Sequence, residues 1–456
     1  MVDLRSFLDQ VRQDRPQDIV TVKRCVNPNY ETTAILAKFE QSYRLPIFYF
    51  EDVEGCSFPL VTNVCGSLSR LALALGVTVA ELSQRYENGC KNPIKPKVID
   101  SAAVQDEVVV DEDVDLGVLP KLIYHEKDCD KPYITAAIVV AVDPETGKSN
   151  LSFHRLMIAG RNRTGIYMAA GKHLDGIYQK YVAKNQAMPI AAFIGVHPIL
   201  SLGGVYTGST DVEEYDIIGG LQGEALRVVE CVKNKGLFVP ADAEFVLEGI
   251  VRPNERIEEG PFGEFTGYAT GTMQTPVLEV HTITNRKDPI FQDIASGHSE
   301  HLVLPILGME YSIKKVAQSA SPSIKNVKIV APLTIVVSIE KSDDAAPRKI
   351  IEALCKSDIY TKHVTIVDAD VNVSDARQVN CAVALNVQPD QDVFVFKDLQ
   401  GTPLDPSCRG ESGITSKLGI DATAPLVGKR KIERNTIAKQ LLDKIDMSEF
   451  LDNKDS

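Results

Sequence analysis

A succession of short apolar runs and turn sequences between residues 134 and 170 constrains the fold more than any other feature. The run ITAAIVVAV is followed by the turn DPETGK, the segment NLSFHRLMI, the turn AGRNR and the segment TGIYMAA. Short apolar runs separated by such turns predict an antiparallel meander. Further runs at MPIAAFIGV, EFVLEGIV, PVLEVHTIT and PIFQDIA extend the β-rich region to residue 297. This much antiparallel strand predicts a barrel or a half-open barrel.

Patterns typical of mixed α/β structure flank the β-rich region. In the first hundred residues, strand runs such as PIFYFEDV and FPLVTNV precede amphipathic stretches such as SLSRLALALG and VAELSQRY. The segment KNPIKPKVID (91–100) predicts a linker into the next domain. After a helical stretch at 300–320, which carries Pro305 in its first turns, strands and helices alternate again. This alternation predicts a separate C-terminal α/β domain.

Charge and cysteine content argue against several classes of protein. A formal net charge of −13 speaks against a nucleic-acid partner, because such partners require a basic surface. The longest apolar run, residues 134–142, is too short to span a bilayer, and the N-terminus lacks the apolar centre of a signal peptide. Nine cysteines without a CxxC pair predict neither a disulfide framework nor a cysteine zinc site. We therefore expect a reduced, cytoplasmic protein that binds no membrane.

The stretch EEGPFGEFTGY (258–268) places three carboxylates around a Gly-Pro-Phe-Gly turn. Gly260 and Gly263 permit a close approach of the backbone, and the proline between them stiffens the turn. Glu259 and Glu264 are therefore held at a defined separation, which a solvated acidic loop does not need. On its own the stretch also fits an ordinary exposed loop, since acidic residues are mostly exposed.

Polar residues also occur at strand positions in NLSFHR (150–155). Because alternate residues of a strand share a face, Asn150, Ser152 and His154 should point one way, and Phe153 and Arg155 the other. These are unusual polar residues for a predicted strand.

Two predicted helix starts, GKH (171–173) and EEY (213–215), carry further polar residues. Helix N-termini beside a lysine and an arginine form an anion site, for which phosphate is the usual ligand. One amide oxygen, one imidazole and one carboxylate form a mixed set suited to Mg²⁺ or Mn²⁺. Each residue alone has an ordinary interpretation: His173 as a histidine without a ligand, Glu214 as an acid stabilised by the helix dipole, and Arg155 as part of a structural ion pair.

A second pair of residues competes for the role of a metal site. His298 and His301 lie three residues apart near a predicted helix start. They lack the i, i+4 spacing and the downstream acid of a zinc protease helix. The chain also lacks a GxSxG elbow, a Walker loop and a Rossmann glycine fingerprint.

In combination, five segments of the chain resemble the UbiD family of decarboxylases. In chain order they are NLSFHR (150–155), GKH (171–173), EEYDIIGGLQGE (213–224), EEGPFGEFTGY (258–268) and SKLGIDAT (416–423). The resemblance implies a reversible, non-oxidative decarboxylase of a (hetero)aromatic or α,β-unsaturated carboxylic acid. It also implies prenylated FMN as cofactor, with a divalent metal, usually manganese, and often a potassium ion.

The resemblance assigns the cofactor and metal contacts residue by residue. Asn150, His173 and Glu214 would hold a metal that bridges the cofactor phosphate, and Lys417 would reach that phosphate from the SKLGIDAT segment. The further cofactor contacts that we expect are those of Ser152, Phe153, His154 and Lys172.

The resemblance also implies a Glu–Arg–Glu network. Arg155 would face the flavin and the substrate carboxylate, Glu259 would orient it, and Glu264 would donate a proton after CO₂ leaves. This assignment is chemically sound, because a carboxylic acid in a closed apolar site has a raised pKa and can act as a proton donor. Glu258, the outermost acid, is expected to be solvated.

The fold class that we expect is mixed α/β and β, in three parts. We place an N-terminal α/β domain at 1–108, a split β-barrel that binds the cofactor at 109–298, and a linker helix at 299–321. A C-terminal α/β oligomerisation domain with a terminal helix would occupy 322–456. The resemblance implies further copies of the chain, in a homodimer or homohexamer, and a flavin prenyltransferase as supplier of the cofactor.

The segment 297–315 is expected to line the substrate pocket, because it follows the cofactor domain. It contains no arginine, and a substrate with a second carboxylate would need a bidentate arginine partner. We therefore expect a monocarboxylate on a compact ring. His298 would bind a ring heteroatom or hydroxyl, or else would be a helix-capping or exposed histidine.

Two alternative functions are a polyprenyl-hydroxybenzoate decarboxylase of ubiquinone synthesis and a flavin- or phosphate-binding protein without catalysis. The complete Glu259, Arg155 and Glu264 set argues against the second alternative, because a binding protein needs only the phosphate and metal residues.

Overall fold

The computed structural model describes residues 2–208, 212–357, 359–410, 413–426, 437–442 and 444–446. Its helices are α1 (Leu4–Asp14), α2 (Glu31–Glu40), α3 (Leu68–Leu75), α4 (Leu82–Lys91), α5 (His173–Ala183), α6 (Pro198–Gly204), α7 (Glu214–Gln222), α8 (Ser299–Val303), α9 (Ile306–Ala320), α10 (Ala346–Ser357), α11 (Ala376–Asn386) and α12 (Lys439–Leu442). Its strands are β1 (Ile19–Val22), β2 (Ile47–Phe50), β3 (Leu60–Thr62), β4 (Lys97–Ile99), β5 (Glu107–Val110), β6 (Tyr133–Ile134), β7 (Ile138–Val142), β8 (Ser149–Phe153), β9 (Leu156–Ile158), β10 (Arg163–Ile166), β11 (Met188–Ile194), β12 (Arg227–Glu230), β13 (Phe238–Pro240), β14 (Phe245–Glu259), β15 (Met273–Asn285), β16 (Phe291–Asp293), β17 (Ile324–Ala331), β18 (Thr334–Ile339), β19 (His363–Asp368), β20 (Val393–Gln400) and β21 (Ile414–Asp421).

The centre of the molecule is a nine-stranded half-barrel sheet. Its strand order is β6-β9-β10-β15-β14-β11-β7-β8, and β5 pairs with β15. The two longest strands, β14 and β15, run antiparallel through its middle, with irregular register at Glu248/Gly249 and between Val251 and Arg256. Such irregularities bend strands and increase their twist, which favours a curved sheet. The predicted half-open barrel is confirmed.

Within two residues the chain passes from β8, at one edge of this sheet, to β9, the strand next to the opposite edge. β8 pairs only with β7 in the sheet order, whereas β9 pairs with β6 and β10. His154 and Arg155 form the link between β8 and β9. The His154 N–H donates to the Ala137 carbonyl at 3.1 Å, and the Tyr167 N–H donates to the Arg155 carbonyl at 3.3 Å. The prediction of an unbroken meander is wrong here, because the two halves of NLSFHRLMI pair with different neighbours.

The N-terminal α/β layer shares its core with the barrel. Its sheet has the order β1-β2-β3-β16, so its last strand comes from the end of the β-rich region. Buried apolar side chains from Leu4 to Tyr311 form one continuous cluster. The segment 91–100, predicted as a linker, instead contributes β4, which pairs with β12 in a small sheet. The partner strand is distant in sequence, so no local pattern indicates this pairing.

The predicted helix over 300–320 consists of two helices. α8 ends at Val303 and α9 begins at Ile306, with Pro305 between them. Proline lacks a backbone N–H, and its ring clashes with the carbonyl four residues earlier, so it does not continue α8. The break allows α8 to contact the N-terminal layer, where Glu300 accepts from the Cys65 N–H, while α9 packs against β17 and α10 of the C-terminal domain.

The C-terminal domain is a five-stranded sheet of order β17-β18-β19-β21-β20 with α10 and α11. Its buried apolar residues form clusters separate from the main core. The predicted α/β character is confirmed. The expected terminal helix falls largely on residues 427–436, 443 and 447–456, which lie outside the described residues. Within the described ranges, no helix is both long enough and apolar enough to cross a membrane.

Candidate active site

Two buried carboxylates hold Arg155 at the link between β8 and β9. Arg155 Nε and Nη2 donate to Glu259 Oε1 and Oε2 at 2.8 and 3.2 Å. Its Nη1 donates to Glu264 Oε1. The guanidinium carbon also lies 4.4 Å from the ring centroid of Tyr167 and 4.7 Å from that of Phe262. Bidentate pairing and ring stacking both depend on the planar guanidinium, so these contacts fix its orientation.

Strand alternation separates Glu258 from Glu259. Both lie at the end of β14, where successive side chains point to opposite faces. Glu258 is exposed, whereas Glu259 is 1 % exposed and Glu264, after the turn, is 8 % exposed. Two of the three acids in the stretch therefore lie inside the protein beside Arg155.

Close backbone contacts explain both glycines of the turn. Gly260 has φ of +91°, and a Cβ there would lie 2.7 Å from the Gly271 carbonyl oxygen. A Cβ on Gly263 would lie 2.5 Å from His125 Nδ1. The Gly263 N–H donates to Asp128 Oδ1 at 2.7 Å. The close approach predicted from the sequence is confirmed.

The network gives its members different proton affinities. Burial raises the pKa of Glu264, although the Arg155 guanidinium acts against this shift. Burial acts to lower the pKa of Arg155, but the carboxylates of Glu264 and Glu259 raise it overall. The arginine therefore stays charged, while Glu264 retains a proton to higher pH than an ordinary glutamate. Such an acid can protonate a molecule bound beside it.

A line of hydrogen bonds joins the polar residues of β8 to the link. Asn150 Nδ2 lies 3.2 Å from Ser152 Oγ, which lies 2.8 Å from His154 Nε2. His154 Nδ1 lies 2.7 Å from the Tyr167 carbonyl oxygen, which can only accept, so Nδ1 carries the proton. Burial lowers the pKa of His154 to about 4, so the neutral ring accepts from Ser152 at Nε2. Asn150 therefore donates through its NH₂ group, and no described residue donates to its amide oxygen.

Helix α7 brings two acids to the free edge of β8. The N–H and Oγ–H of Ser149 donate to Glu213 Oε1, both at 2.6 Å, and the Leu151 N–H donates to Glu214 Oε2 at 3.0 Å. Glu214 is 3 % exposed, and burial raises its pKa to about 7. These bonds lie on either side of Asn150 along β8. A desolvated carboxylate and an amide oxygen are both ligand types that suit a hard divalent cation.

His173 is the first residue of α5, which packs against β8 as α7 does. Burial, with a contribution from Lys172, lowers the pKa of His173, which favours the neutral imidazole that a metal requires. Lys172 is exposed, and its Nζ lies 5.2 Å from the centroid of the Tyr360 ring. In the described part of the chain, no three His, Cys, Asp or Glu side chains are placed to hold a metal.

Lys417 and Phe153 are two further predicted cofactor contacts. Lys417 is 2 % exposed in β21 and lies close to the thiol of Cys355 in α10. Phe153 packs toward α6, where a Cβ on Gly204 would lie 3.2 Å from its ring.

The two histidines near α8 have separate partners. His298 Nδ1 lies 2.8 Å from Glu40 Oε2, so the N-terminal layer holds its ring. His301 Nδ1 accepts from the Gly297 N–H at 3.2 Å. Burial, followed by the charge of Arg155, lowers the pKa of His301 to about 4. These partners do not support the competing metal pair, and His301 is a residue near the network to which sequence reasoning gave no substrate role.

The sequence analysis also missed three aromatic residues of the site. Tyr133 Oη donates to Glu259 Oε1 at 3.1 Å, and Tyr167 and Phe262 stack on Arg155. Phe262 belongs to the acidic stretch, but the other two lie in apolar strand patterns. Aromatic residues in such patterns are usually core residues, so no local signal marks them.

The three-part fold, with a half-barrel sheet at its centre, is that of a known class of carboxy-lyases. Three family models match the chain, described as the N-terminal, Rift-related and C-terminal domains of 3-octaprenyl-4-hydroxybenzoate carboxy-lyase. They match residues 12–87, 97–299 and 306–422, respectively. The chain belongs to the UbiD family, and it is a decarboxylase. The resemblance seen in the sequence is confirmed.

Individual relatives agree with this assignment. The chain is 31 % identical over 444 residues to anhydromevalonate phosphate decarboxylase of Methanosarcina mazei, covering 96 % of this chain and 99 % of the relative. It is also 31 % identical over 479 residues to phenolic acid decarboxylase of Sedimentibacter hydroxybenzoicus. That match covers 99 % of this chain and 97 % of the relative.

Solved structures show the same fold. The UbiD-class enzyme HmfF from Pelotomaculum thermopropionicum, in complex with FMN, matches with a TM-score of 0.89 and 34 % identity over 98 % of this chain and 100 % of that one. An evolved dimeric form of HmfF in complex with prFMN matches with a TM-score of 0.87 and 32 % identity. That match covers 99 % of this chain and 100 % of the HmfF chain.

Proposed function

We propose that this carboxy-lyase reversibly decarboxylates a compact (hetero)aromatic or α,β-unsaturated monocarboxylic acid with the help of prenylated FMN. The observation that carries the proposal is the buried network of Glu259, Arg155 and Glu264. It combines a fixed positive charge with an acid whose pKa is raised by burial. The positive charge can bind the carboxylate of the substrate, and the acid can protonate the carbon of the product.

In the proposed reaction the bond between the carboxylate and the substrate carbon breaks, CO₂ leaves, and the electron pair stays with the carbon. Prenylated FMN, when bound, supplies the electron sink for that pair. Arg155 orients the carboxylate through N–H groups that its glutamate partners do not use, since a guanidinium has five. Glu264 then gives its proton to the carbon, and the new C–H bond completes the product. In the carboxylation direction Glu264 removes that proton.

The residues around β8 support a cofactor phosphate and a divalent metal such as Mn²⁺. The Asn150 amide oxygen is available, the low pKa of His173 favours a neutral ring, and the Glu214 carboxylate is desolvated. Together these groups are a suitable mixed N/O ligand set. We propose Asn150, His173 and Glu214 as the ligands. The proposed cofactor contacts are those of Ser152, Phe153, His154, Lys172 and Lys417, with K⁺ as a second ion.

The lysines of the pocket-lining segment support a substrate with a single carboxylate. Lys314 Nζ is paired with Glu87 Oε2 at 2.8 Å, and Lys315 Nζ lies 4.5 Å from the centroid of the Tyr311 ring. Neither is positioned as a bidentate partner for a second carboxylate. The names of the relatives add two candidate substrate types, phenolic acids and anhydromevalonate phosphate. The family description adds a third candidate, a polyprenylated hydroxybenzoate.

The test is CO₂ release by protein produced together with a flavin prenyltransferase. The panel contains furan, pyrrole and indole carboxylates, phenolic acids, anhydromevalonate phosphate and a polyprenylated hydroxybenzoate. We expect turnover of at least one compact acid, and none by the Arg155→Gln enzyme. A holo-protein that releases CO₂ from no member of the panel, or an Arg155→Gln enzyme as active as the parent, would contradict the proposal.

A further inference from the structure

The loop that precedes β6 lies outside every motif of the family resemblance, yet it holds the turn of the acidic stretch. The Asp128 side chain is 1 % exposed, and its Oδ1 accepts from the Gly263 N–H at 2.7 Å. Its Oδ2 accepts from the His125 N–H at 3.0 Å and lies 3.2 Å from His125 Nδ1. One residue further, the Cys129 N–H donates to the Pro261 carbonyl at 2.8 Å. Both ends of the segment 261–263 are thus bonded to this loop.

We propose that Asp128 is a positioning residue that fixes the backbone at Gly263, so that Glu264 is held where it can pass its proton to the substrate carbon. This inference rests on the proposed function of the site, in which Glu264 is the proton donor.

Glu264 depends on its backbone for its position. Among the described residues, its carboxyl group accepts from a single side-chain donor, Arg155 Nη1. The residue before it, Gly263, uses both of its polar groups to anchor the turn: its N–H bonds to Asp128, and its carbonyl accepts from the Ser296 hydroxyl at 2.6 Å. The anchor at Gly263 therefore sets where the Glu264 side chain begins.

The turn also lies tightly against its surroundings. A Cβ on Gly263 would lie 2.5 Å from His125 Nδ1, so no side chain fits between the turn and the loop. On another side, a Cβ on Gly297 would lie 3.3 Å from the Glu264 carbonyl oxygen. A backbone confined in this way has one position as long as its hydrogen bonds hold it there.

Loss of the Asp128 carboxyl group should affect proton transfer more than substrate binding. The Gly263 N–H would lose its acceptor, and the turn could move away from the loop. A misplacement of about 1 Å can cost about 10²-fold in rate. Arg155 keeps its two bonds to Glu259, so the proposed partner of the substrate carboxylate stays in place.

Glu248 provides a matched control. It is 1 % exposed on β14, and it accepts from the backbone N–H groups of Val232, Lys233 and Asn234 at 2.7, 2.8 and 2.9 Å. Glu248→Ala thus also removes a buried carboxyl group that holds a loop, in this case the loop between β12 and β13.

The experiment compares holo-enzymes of the parent, Asp128→Ala, Asp128→Asn and Glu248→Ala, with an acid that the parent decarboxylates. We expect kcat of Asp128→Ala to fall by about 10–100-fold, with KM and flavin content close to those of the parent. Exchange of the product's C–H hydrogen with solvent deuterium should slow by a similar factor. Asp128→Asn should recover most of the activity, because its amide oxygen can still accept from the Gly263 N–H.

Glu248→Ala should melt at a lower temperature than the parent but keep the parent's kcat per bound flavin. Three outcomes would overturn the inference: exchange in Asp128→Ala at the parent rate, an Asp128→Asn enzyme no more active than Asp128→Ala, or equal losses of kcat in the two alanine variants.

A second comparison tests the route through Glu264. In a Glu264→Gln background Asp128→Ala should have almost no further effect on exchange, whereas fully additive losses would overturn the inference. If Asp128→Ala does not fold, Asp128→Glu replaces it; the longer side chain keeps its acceptor oxygens but displaces the turn, so kcat should fall at unchanged KM. Parent-like kcat in that variant counts against the inference. An inactive parent rejects the proposed function itself, while an active parent with unaffected variants rejects only the role of Asp128.

Discussion

Glu258, Glu259 and Glu264 lie within seven residues yet have three different surroundings. Glu258 faces solvent, Glu259 accepts hydrogen bonds from Arg155 and Tyr133, and Glu264 is buried with a raised pKa. Strand alternation separates the first two, and the tight turn places the third on the other side of Arg155. The same substitution should therefore have a different effect at each position.

Glu264→Gln keeps the shape of the side chain but cannot carry a proton. Turnover should fall by about 10²–10⁴-fold, the usual contribution of a general acid, with flavin still bound. The measurement is exchange of the product's C–H hydrogen with deuterium from solvent, which needs proton transfer but no net decarboxylation. Glu258→Gln is the control and should exchange at the parent rate. Fast exchange in Glu264→Gln with slow exchange in Glu258→Gln would reverse the assignment.

His298→Asn tests the proposed substrate contact. If the ring meets the substrate, the order of preference among the acids should change while the flavin content stays that of the parent. His281→Asn is a control, since His281 lies on β15 and its Nε2 is near Asn234 Oδ1, 3.2 Å away. A preference profile equal to the parent's would leave His298 with only its contact to Glu40.

At the residue scale, the periodicity of the sequence predicted which side chains share a face of a strand. Alternation along β8 placed Asn150, Ser152 and His154 on one face, and their hydrogen bonds join them there. Strand alternation did not predict the contact between Tyr133 and Glu259, because these two residues lie 126 positions apart in the sequence. Contacts of this kind depend on the order of strands in the sheet, which periodicity does not specify.

At the scale of elements, the turn between β14 and β15 tolerates a side chain at one glycine but not at another. Gly260→Ala should reduce activity and destabilise the protein by about 1–3 kcal/mol, because a positive φ and the Gly271 carbonyl both oppose a Cβ. Gly271→Ala, where a Cβ would meet no atom within 4 Å, should stay within about 0.5 kcal/mol of the parent. Thermal unfolding and CO₂ release measure both. Equal effects of the two substitutions would show that the close approach does not matter.

Helix α8 contains a buried acid that should make stability depend on pH. The Cys65 N–H donates to Glu300 Oε1 at 2.6 Å, while Oε2 has no partner among the described residues. Burial raises the pKa of Glu300 to about 7 from an ordinary 4.5. The folded protein thus binds this proton more tightly than the unfolded chain does. The resulting stabilisation is fully present below pH 4.5 and is lost as the pH rises to about 7.

Glu300→Gln, which is uncharged at every pH, should therefore gain stability relative to the parent between pH 4.5 and 7. Above this range the gain should stay constant, on the order of 3 kcal/mol. Melting temperatures at several pH values measure the difference. The exposed Glu258→Gln serves as control and should show no such trend. A difference independent of pH would contradict the proposed titration of Glu300.

Element types were predicted well because periodicity and turn residues are local. Helices such as α5 and α7 and strands such as β11 occur where the patterns indicated them. The predictions of secondary structure that were wrong have non-local causes or involve a proline. β4 depends on a distant partner, the link at His154 and Arg155 depends on sheet closure, and Pro305 ends a helix that its apolar pattern would continue.

At the scale of the whole molecule, the N-terminal α/β layer and the half-barrel share one hydrophobic core. The C-terminal domain has its own clusters of buried apolar side chains. Native-state hydrogen exchange should therefore show β3, β11 and β14 opening together, and β18 and β19 opening separately at a lower free energy. The physical reason is that fewer apolar side chains hold the C-terminal sheet together. A single opening free energy for all these strands would show that the domains unfold as one unit. The sequence predicted the α/β–β–α/β order, but it did not show that the first two parts share a core.

The short link between β8 and β9 has a consequence for how the site can vary. Asn150, at the proposed metal end, and Arg155, at the proton-transfer end, are five residues apart on one continuous segment, roughly 16 Å if fully extended. The length of this segment therefore fixes the spacing between the proposed metal ligand and the proposed substrate-facing arginine. A one-residue insertion would shift one end by about 3 Å and turn its side chains to the opposite face. An insertion between Asn150 and Arg155 should therefore separate the two proposed parts of the site, whereas variation elsewhere in the chain leaves their spacing along the segment unchanged.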